Sequence, residues 1–195
     1  MITINRRIFG TENTISEMIE KIVLQGMLEE TNFKLPEVKL SDAQVEWIKE
    51  FISPEGKIVH LDGERATGRS SMGIGMILAT SLFKDNSTSL VITTNEQIIK
   101  SLYNKLLTYL RIFCEVFSLP ELIKTKRRDE IELINGSRIK FSKSHSYVGR
   151  GVAADSIFLD LINAKTIESL DEELIASLLP CIYRPGNKMI ISLGA

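Results

Sequence analysis

Cysteine, proline and tryptophan are scarce in this chain of 195 residues, which contains two, five and one of them respectively. The two cysteines, Cys114 and Cys181, lie far apart and fit no metal-ligand spacing, so we expect buried free thiols in a reducing compartment. A formal net charge of −1 provides no global basic field to attract nucleic acid. With 44% hydrophobic and 25% charged residues, the composition is that of a soluble globular protein.

Long apolar runs are also lacking. None reaches membrane-spanning length, and the N-terminus MITINRRIFG has no apolar signal-peptide core. We therefore expect a soluble, cytoplasmic protein without a membrane partner. The length suits one domain of ordinary size. A basic run at 124–128, KTKRR, is a candidate phosphate-binding patch, although such runs are more often solvated loops.

Hydrophobic periodicity predicts alternating helices and strands. Residues 11–30 predict an amphipathic helix, and residues 1–36 are expected to form a small N-terminal helical appendage. A second helix begins at Ser41, which pairs with Gln44 as a capping box. Buried strands are predicted at 57–61, 89–94, 156–160 and 188–193, with helices at 71–83, 96–114 and 170–179.

The segment EIELINGSRIKFS at 130–142 alternates apolar and polar residues around Asn135-Gly136, which predicts a β-hairpin. The remaining apolar strands alternate with helices along the chain. This order implies an α/β fold whose parallel sheet is covered by helices on both faces.

The segment KIVHLDGERATGRS at 57–70 carries the strongest chemical signal. A strand leads into a loop from Gly63 to Ser70, and a helix follows at once, as in phosphate-binding loops of pattern G-x-x-x-x-G-K-[ST]. Backbone N–H groups and the helix N-terminus of such a loop cradle a triphosphate, and Ser70 offers a hydroxyl to Mg²⁺. Arg69 replaces the usual lysine, and a planar guanidinium cannot fully replace a compact ammonium between phosphates. The loop predicts nucleotide binding and leaves efficient hydrolysis open.

Two later strands add polar residues at their ends. Ile157-Phe-Leu-Asp160 puts a carboxylate at the C-terminal end of a buried strand, where a hydrolase of this class needs an acid for the Mg²⁺ shell. A turn-capping aspartate is the simpler alternative. The strand at 188–193 contains Ser192 near its end, at the edge where ligands bind in open α/β folds. The order of these three strand ends is more specific than the glycine loop alone.

Over roughly residues 40–195, these motifs resemble the N-terminal ATPase domain of the large terminase subunit, the DNA-packaging motor of tailed bacteriophages. The hairpin at 131–139 matches the family pattern IELxNGSxI, and Arg150-Gly151 precedes the acidic strand as a family Arg-Gly pair does. The resemblance implies a P-loop NTPase of the ASCE/RecA-like type, with a predominantly parallel central sheet, flanking helices and a β-hairpin. Residues 37–195 would form this ATPase domain, and we expect no nuclease domain.

The resemblance also implies roles for individual residues. Gln44 would contact adenine, unless it merely caps its helix, and Ser192 would belong to the coupling motif. The expected catalytic residues are Arg69, in the role of the displaced lysine, Arg65, which would stabilise transition-state charge, and Asp160, which would act through Mg²⁺. The alternative for Arg65 is a salt bridge with a neighbour. Mg²⁺ would be held by Ser70 and Asp160, largely through water. The loop residues expected around the nucleotide are Gly63, Glu64, Arg65, Ala66, Thr67, Gly68, Arg69, Ser70 and Ser71.

ATP and Mg²⁺ are therefore the implied cofactors. The implied partners are double-stranded DNA, the portal and the small terminase subunit, in the cytoplasm of an infected host cell. A homo-oligomeric ring is expected in the working motor, and a monomer is compatible with the sequence for the chain in isolation.

One further departure concerns hydrolysis. Leu161 stands where the family places the glutamate that orients the attacking water, and leucine neither accepts a proton nor polarises water. The acids downstream that could substitute are Glu168, Asp171, Glu172 and Glu173. Losing such a general base slows a reaction by about 10²–10⁴-fold, so weak hydrolysis is expected. Two alternatives stay open, a catalytically degenerate P-loop-fold assembly or regulatory protein and a helicase-like nucleic-acid translocase.

Overall fold

Both helices and strands occur in the computed structural model, which describes residues 12–31, 39–55, 57–63, 67–145, 148–161 and 172–193. In chain order the elements are α1 (Glu12–Thr31), α2 (Asp42–Ile52), β1 (Ile58–Leu61), α3 (Arg69–Phe83), β2 (Thr88–Thr93), α4 (Glu96–Val116), β3 (Ile123–Lys126), β4 (Glu130–Leu133), β5 (Arg138–Lys143), β6 (Ser156–Leu161), α5 (Glu172–Leu178) and β7 (Lys188–Leu193). A 3₁₀ turn, Leu179–Ile182, follows α5.

Seven strands form one sheet in the order β1-β7-β6-β2-β5-β4-β3. The first five of these are parallel to one another, and β4 and β3 continue the sheet as antiparallel neighbours. Strand β7, the last in the chain, lies between the glycine-loop strand β1 and the acidic strand β6. The expected predominantly parallel α/β fold is confirmed, and the expected hairpin is formed by β4 and β5 around Gly136, which has φ +81°.

The basic run at 124–128 was expected to be a loop, and this expectation is wrong for its first half. Residues 123–126 form the edge strand β3, paired with β4, and Lys124 Nζ lies 2.7 Å from Glu132 Oε1 on that neighbour. Lysine on an edge strand discourages pairing with other chains, which explains how a charged segment serves as a strand.

Side chains of successive strand residues point to opposite faces of a sheet, and this alternation creates two apolar layers. One layer joins the sheet to α1, α2, α3 and α4 through Val59, Val91, Phe158 and Ile190. The other layer joins it to α5 and the 3₁₀ turn through Leu90, Ile157, Leu159 and Ile191. The α3 backbone passes close to the sheet at Gly73, where an added Cβ would lie 2.3 Å from the Phe158 ring.

Helix α1 contributes Met18, Ile19, Ile22 and Val23 to the same core as α3 and α4. It approaches α3 closely at Gly75, where a Cβ would lie 2.7 Å from Val23 Cγ2. The predicted domain boundary near residue 36 falls within 32–38, outside the described residues, and stays a prediction. Across the described stretches, no helix is long and apolar enough to cross a membrane.

Candidate nucleotide-binding site

The carboxyl ends of four parallel strands meet at one edge of the sheet. In the strand register Leu61 lies opposite Ser192, Ser192 opposite Asp160, and Asp160 opposite Thr93. Asp160 and Ser192 therefore point to the same face, and each is only 2% exposed. The glycine loop leaves β1 at this edge and returns into α3, so the predicted site residues at the strand ends lie beside the loop.

One link between loop and sheet is a hydrogen bond that Ser70 Oγ donates to Asp160 Oδ2, at 2.8 Å. The second carboxylate oxygen, Oδ1, is buried and has no hydrogen-bond partner among the described residues. Burial raises the pKa of Asp160, while the hydroxyls of Ser70 and Ser192 and the charges of Arg69 and Lys105 act to lower it. Asp160 is therefore a buried acid whose charged form is stabilised only in part by these neighbours.

This donor set fits a magnesium ion. Mg²⁺ prefers oxygen ligands and is usually bound by one or two carboxylates, hydroxyl or water oxygens and the phosphates of a substrate. The Ser70 hydroxyl and the unpartnered Oδ1 of Asp160 supply such oxygens at the N-terminus of α3. An ion held by these residues would neutralise charge on a bound phosphate group.

Two glycines set the backbone of the loop where it is described. Gly68, which precedes α3, has φ +81°, and a Cβ there would lie 2.8 Å from Gln44 Nε2. Gly63 has φ +133°, and its Cβ would lie 3.2 Å from Thr67 Oγ1. Both positions favour glycine because L-residues rarely adopt these angles. The remaining loop residues, Glu64, Arg65 and Ala66, lie outside the described residues, and their roles stay predictions.

Gln44 contacts the loop directly. Its Oε1 accepts a hydrogen bond from the Ser41 backbone N–H at 2.9 Å, and Ser41 Oγ accepts one from the Gln44 N–H at 3.3 Å, so the capping box is present. The other end of the same amide, Nε2, donates to the Thr67 carbonyl at 2.8 Å. Gln44 thus both caps its helix and holds the loop through the Thr67 carbonyl, and its contact with adenine stays a prediction.

Arg69 is the first residue of α3. Its Nη1 donates a hydrogen bond to the carbonyl of Leu193, at the end of β7. This bond directs the guanidinium towards the neighbouring strand end and ties the start of α3 to β7. The role of Arg69 at the phosphates stays a prediction.

Leu161 lies on the opposite face of the sheet from Asp160. It is the last residue of β6, pairs with Leu193, and is buried at 4% exposure in the apolar layer beneath α5. Because β6 stays regular through this residue, a glutamate at 161 on this backbone would also point away from Ser70 and Asp160.

Among the described residues, the acids named as substitutes for the family glutamate do not supply a general base at the site. Glu168 and Asp171 lie outside the described residues. Glu173 lines a cleft of about 790 Å³ together with Arg150 and Arg184, and the lining of that cleft includes neither Ser70 nor Asp160. Glu172 is the exposed first residue of α5.

The sequence analysis missed Lys105 on α4. Its Nζ donates to Ser71 Oγ at 3.0 Å, and it lines a cleft of about 460 Å³ with Ser70 and Asp160. No motif marks this position. The only sequence signal is a lysine between Leu102 and Leu106, two positions on the buried face of a long helix.

Comparison with known proteins shows the fold. The sequence matches no protein-family model and no curated protein. The structure is similar to the large terminase of bacteriophage HK97 (TM-score 0.62, 13% identity, covering 80% of this chain and 33% of that one). It is also similar to the large terminase ATPase domain of Thermus phage P74-26 (TM-score 0.57, 17% identity, 86% and 68% covered).

A third similar structure is the large terminase of another thermophilic bacteriophage in complex with ADP (TM-score 0.52, 15% identity, 79% of this chain and 38% of that one covered). The chain thus spans about a third of the length of the HK97 protein and somewhat more of this third protein. At this identity the likeness shows that the chain has the fold of phage large terminase ATPase domains, which confirms the fold implied by the sequence resemblance.

Proposed function

We propose that this chain is the ATP-binding motor domain of a viral large terminase subunit, which powers translocation of double-stranded DNA into a capsid. The observation that carries the proposal is the Ser70–Asp160 hydrogen bond, which joins the start of α3 to a buried strand-end carboxylate. The same fold occurs in large terminases, and one of them, from a thermophilic bacteriophage, has been seen in complex with ADP and with ATP-γ-S.

In this proposal the loop backbone and the N-terminus of α3 bind the phosphates, and Ser70 and Asp160 hold Mg²⁺. Arg65 and Arg69 oppose the phosphate charge, and Gln44, which contacts the loop at the Thr67 carbonyl, also contacts adenine. Ser192, which lies opposite Asp160 on β7, serves as the coupling residue in this proposal. The DNA, the portal, the small subunit and further copies of the chain in a ring are the proposed partners.

A second candidate function is supported by Leu161. Since this side chain packs in an apolar layer on the far face of the sheet, the position offers no general base. A P-loop-fold protein that binds nucleotide without turning it over would serve assembly or regulation. The two candidates differ in turnover rather than in binding.

The proposal is tested by calorimetric titration of the chain with ATP-γ-S, with and without Mg²⁺. We expect Mg²⁺-dependent binding that Ser70→Ala weakens by about tenfold, as for loss of one metal-ligand contact. Thr80→Ala on the same helix is the matched control, because Thr80 Oγ1 donates within the helix, to the Met76 carbonyl.

Absence of Mg²⁺-dependent binding, or equal effects of the two substitutions, would contradict the proposal. Turnover of ATP, measured with and without double-stranded DNA, then separates the candidates. Turnover stimulated by DNA supports the motor, whereas tight binding without turnover supports the assembly role.

A further inference from the structure

Lys105 brings a positive charge to the site from outside the glycine loop. It lies in the middle of α4, 34 residues beyond the Ser71 hydroxyl to which its Nζ donates at 3.0 Å. Ser71 is buried and follows Ser70, the residue that bonds Asp160. The ammonium of Lys105 is therefore held at the N-terminal turn of α3.

Asp160, one of the residues that line the cleft beside Lys105, has an unsatisfied polar atom. Ser70, Lys105 and Asp160 line it together, and the remaining lining residues are Gln97, Ile98, Ser101 and Leu102. The Oδ1 atom of Asp160 is buried and without a hydrogen-bond partner among the described residues. Buried polar atoms are rarely left unpaired, and such an exception points to a ligand, ion or water at that position.

The loop itself lacks a compact cation. Its own basic residue after Gly68 is Arg69, whose guanidinium bonds the Leu193 carbonyl at the end of β7. An ammonium on a flexible four-carbon chain approaches phosphate oxygens as a point charge, which a planar guanidinium does not do. Lys105 supplies this group on the Asp160 side of the loop.

We propose that Lys105 contacts the terminal phosphate of a bound nucleoside triphosphate, and so provides from α4 the ammonium that the loop lacks. The inference rests on the proposed nucleotide site. A hydrogen bond from an ammonium to a phosphate is roughly twice as strong as one between neutral groups, so phosphate competes well with the Ser71 hydroxyl for Nζ.

The position of Lys105 also predicts selectivity. Ser70 and Asp160 would hold Mg²⁺ in the cleft that they line with Lys105, and the ion would there neutralise charge on the terminal part of the phosphate chain. A cation in that cleft has more contact with a triphosphate than with a diphosphate. Lys105 therefore distinguishes ATP from ADP.

The test is a titration of the full chain with ATP-γ-S and with ADP, both with Mg²⁺. We expect Lys105→Met to weaken ATP-γ-S binding by about tenfold to a hundredfold, the usual effect of losing one charged hydrogen bond, and to change ADP binding little. The matched control is Lys100→Met, which removes an exposed lysine of the same helix that lines a different cleft.

Two further variants separate charge from helix packing. Lys105→Arg keeps a cation, whereas Lys105→Gln keeps only a neutral donor for Ser71. We expect Lys105→Arg to keep part of the preference of the unsubstituted chain for the triphosphate. We expect Lys105→Gln to keep none of it. Thermal unfolding of each variant shows that it is folded, and the Arg and Gln pair carries the test if Lys105→Met does not fold.

The outcomes are distinguishable. If the unsubstituted chain binds neither nucleotide, the proposed function and this inference both fail. The inference alone is overturned if the chain binds both nucleotides and Lys105→Met keeps the same ratio of ATP-γ-S to ADP affinity. It is also overturned if Lys105→Gln keeps this ratio as well as Lys105→Arg does. In either case Lys105 only joins α4 to α3.

Discussion

At the scale of single residues, two neighbours in the sequence have opposite environments. Asp160 points towards α3 and bonds Ser70, while Leu161 points into the apolar layer beneath α5. Strand alternation imposes this separation because β6 continues through both residues. Position 161 therefore offers no general base to the predicted site, because of the strand geometry as well as the residue type.

We predict that Leu161→Glu does not restore ATP turnover. An uncompensated carboxylate in this apolar layer should lower the free energy of unfolding by roughly 3–5 kcal/mol. Leu161→Met keeps the volume and should cost less than about 1.5 kcal/mol. Urea unfolding and an ATPase assay check both variants, and a stable Leu161→Glu chain with rapid turnover would contradict the assigned orientation.

At the scale of elements, α2 and the glycine loop are joined through one side chain. Gln44 completes the capping box of α2 with one end of its amide and holds the Thr67 carbonyl with the other. The cap follows from the local sequence pattern around Ser41. The bond to the Thr67 carbonyl does not follow from that pattern, because Thr67 is 23 residues away.

Two substitutions within the capping box separate these roles. Ser41→Ala removes the hydroxyl that caps Gln44 N–H and should cost about 0.5–2 kcal/mol of stability without changing nucleotide affinity. Gln44→Met also loses the bond to Thr67, so it should weaken ATP-γ-S binding as well. Thermal melts and calorimetry measure the two effects. Equal affinities of the two variants would show that the bond to Thr67 is not needed for binding.

The strands were predictable to different degrees. The apolar runs of β1, β2, β6 and β7 and the hairpin turn at Asn135-Gly136 follow from residue patterns, and the structure contains all of them. Strand β3 was missed because its lysines resemble a solvated loop. An edge strand with one paired side and charged side chains leaves little pattern in the sequence.

At the scale of the whole molecule, the buried carboxylate of Asp160 lowers the stability of the folded state. Burial raises the pKa of Asp160 in the folded protein, so the folded state favours the neutral acid. In the absence of Mg²⁺, the free energy of unfolding should therefore fall as the pH rises from the unfolded-state pKa through the higher folded-state pKa.

We predict that Asp160→Asn raises the free energy of unfolding at neutral pH by about 1 kcal/mol while weakening Mg²⁺-dependent nucleotide binding. Asp155→Asn is the opposite control, because Asp155 is well partnered, with Lys84 Nζ at 2.5 Å and the Thr88 N–H at 2.7 Å. Asp155→Asn should lower stability. Denaturant unfolding without Mg²⁺ compares the two, and a loss of stability in Asp160→Asn would contradict the prediction.

The sequence by itself determined the order of the helices and of the strands other than β3, the glycine loop, and the positions of Ser70, Asp160 and Ser192 at strand or helix ends. These features depend on local periodicity and on residue types a few positions apart. Only the tertiary structure decided that Lys105 lies beside Ser71, that Gln44 holds Thr67, and that Leu161 points away from the site. Such contacts join residues far apart in the chain, or depend on where a strand ends, and local patterns do not encode them.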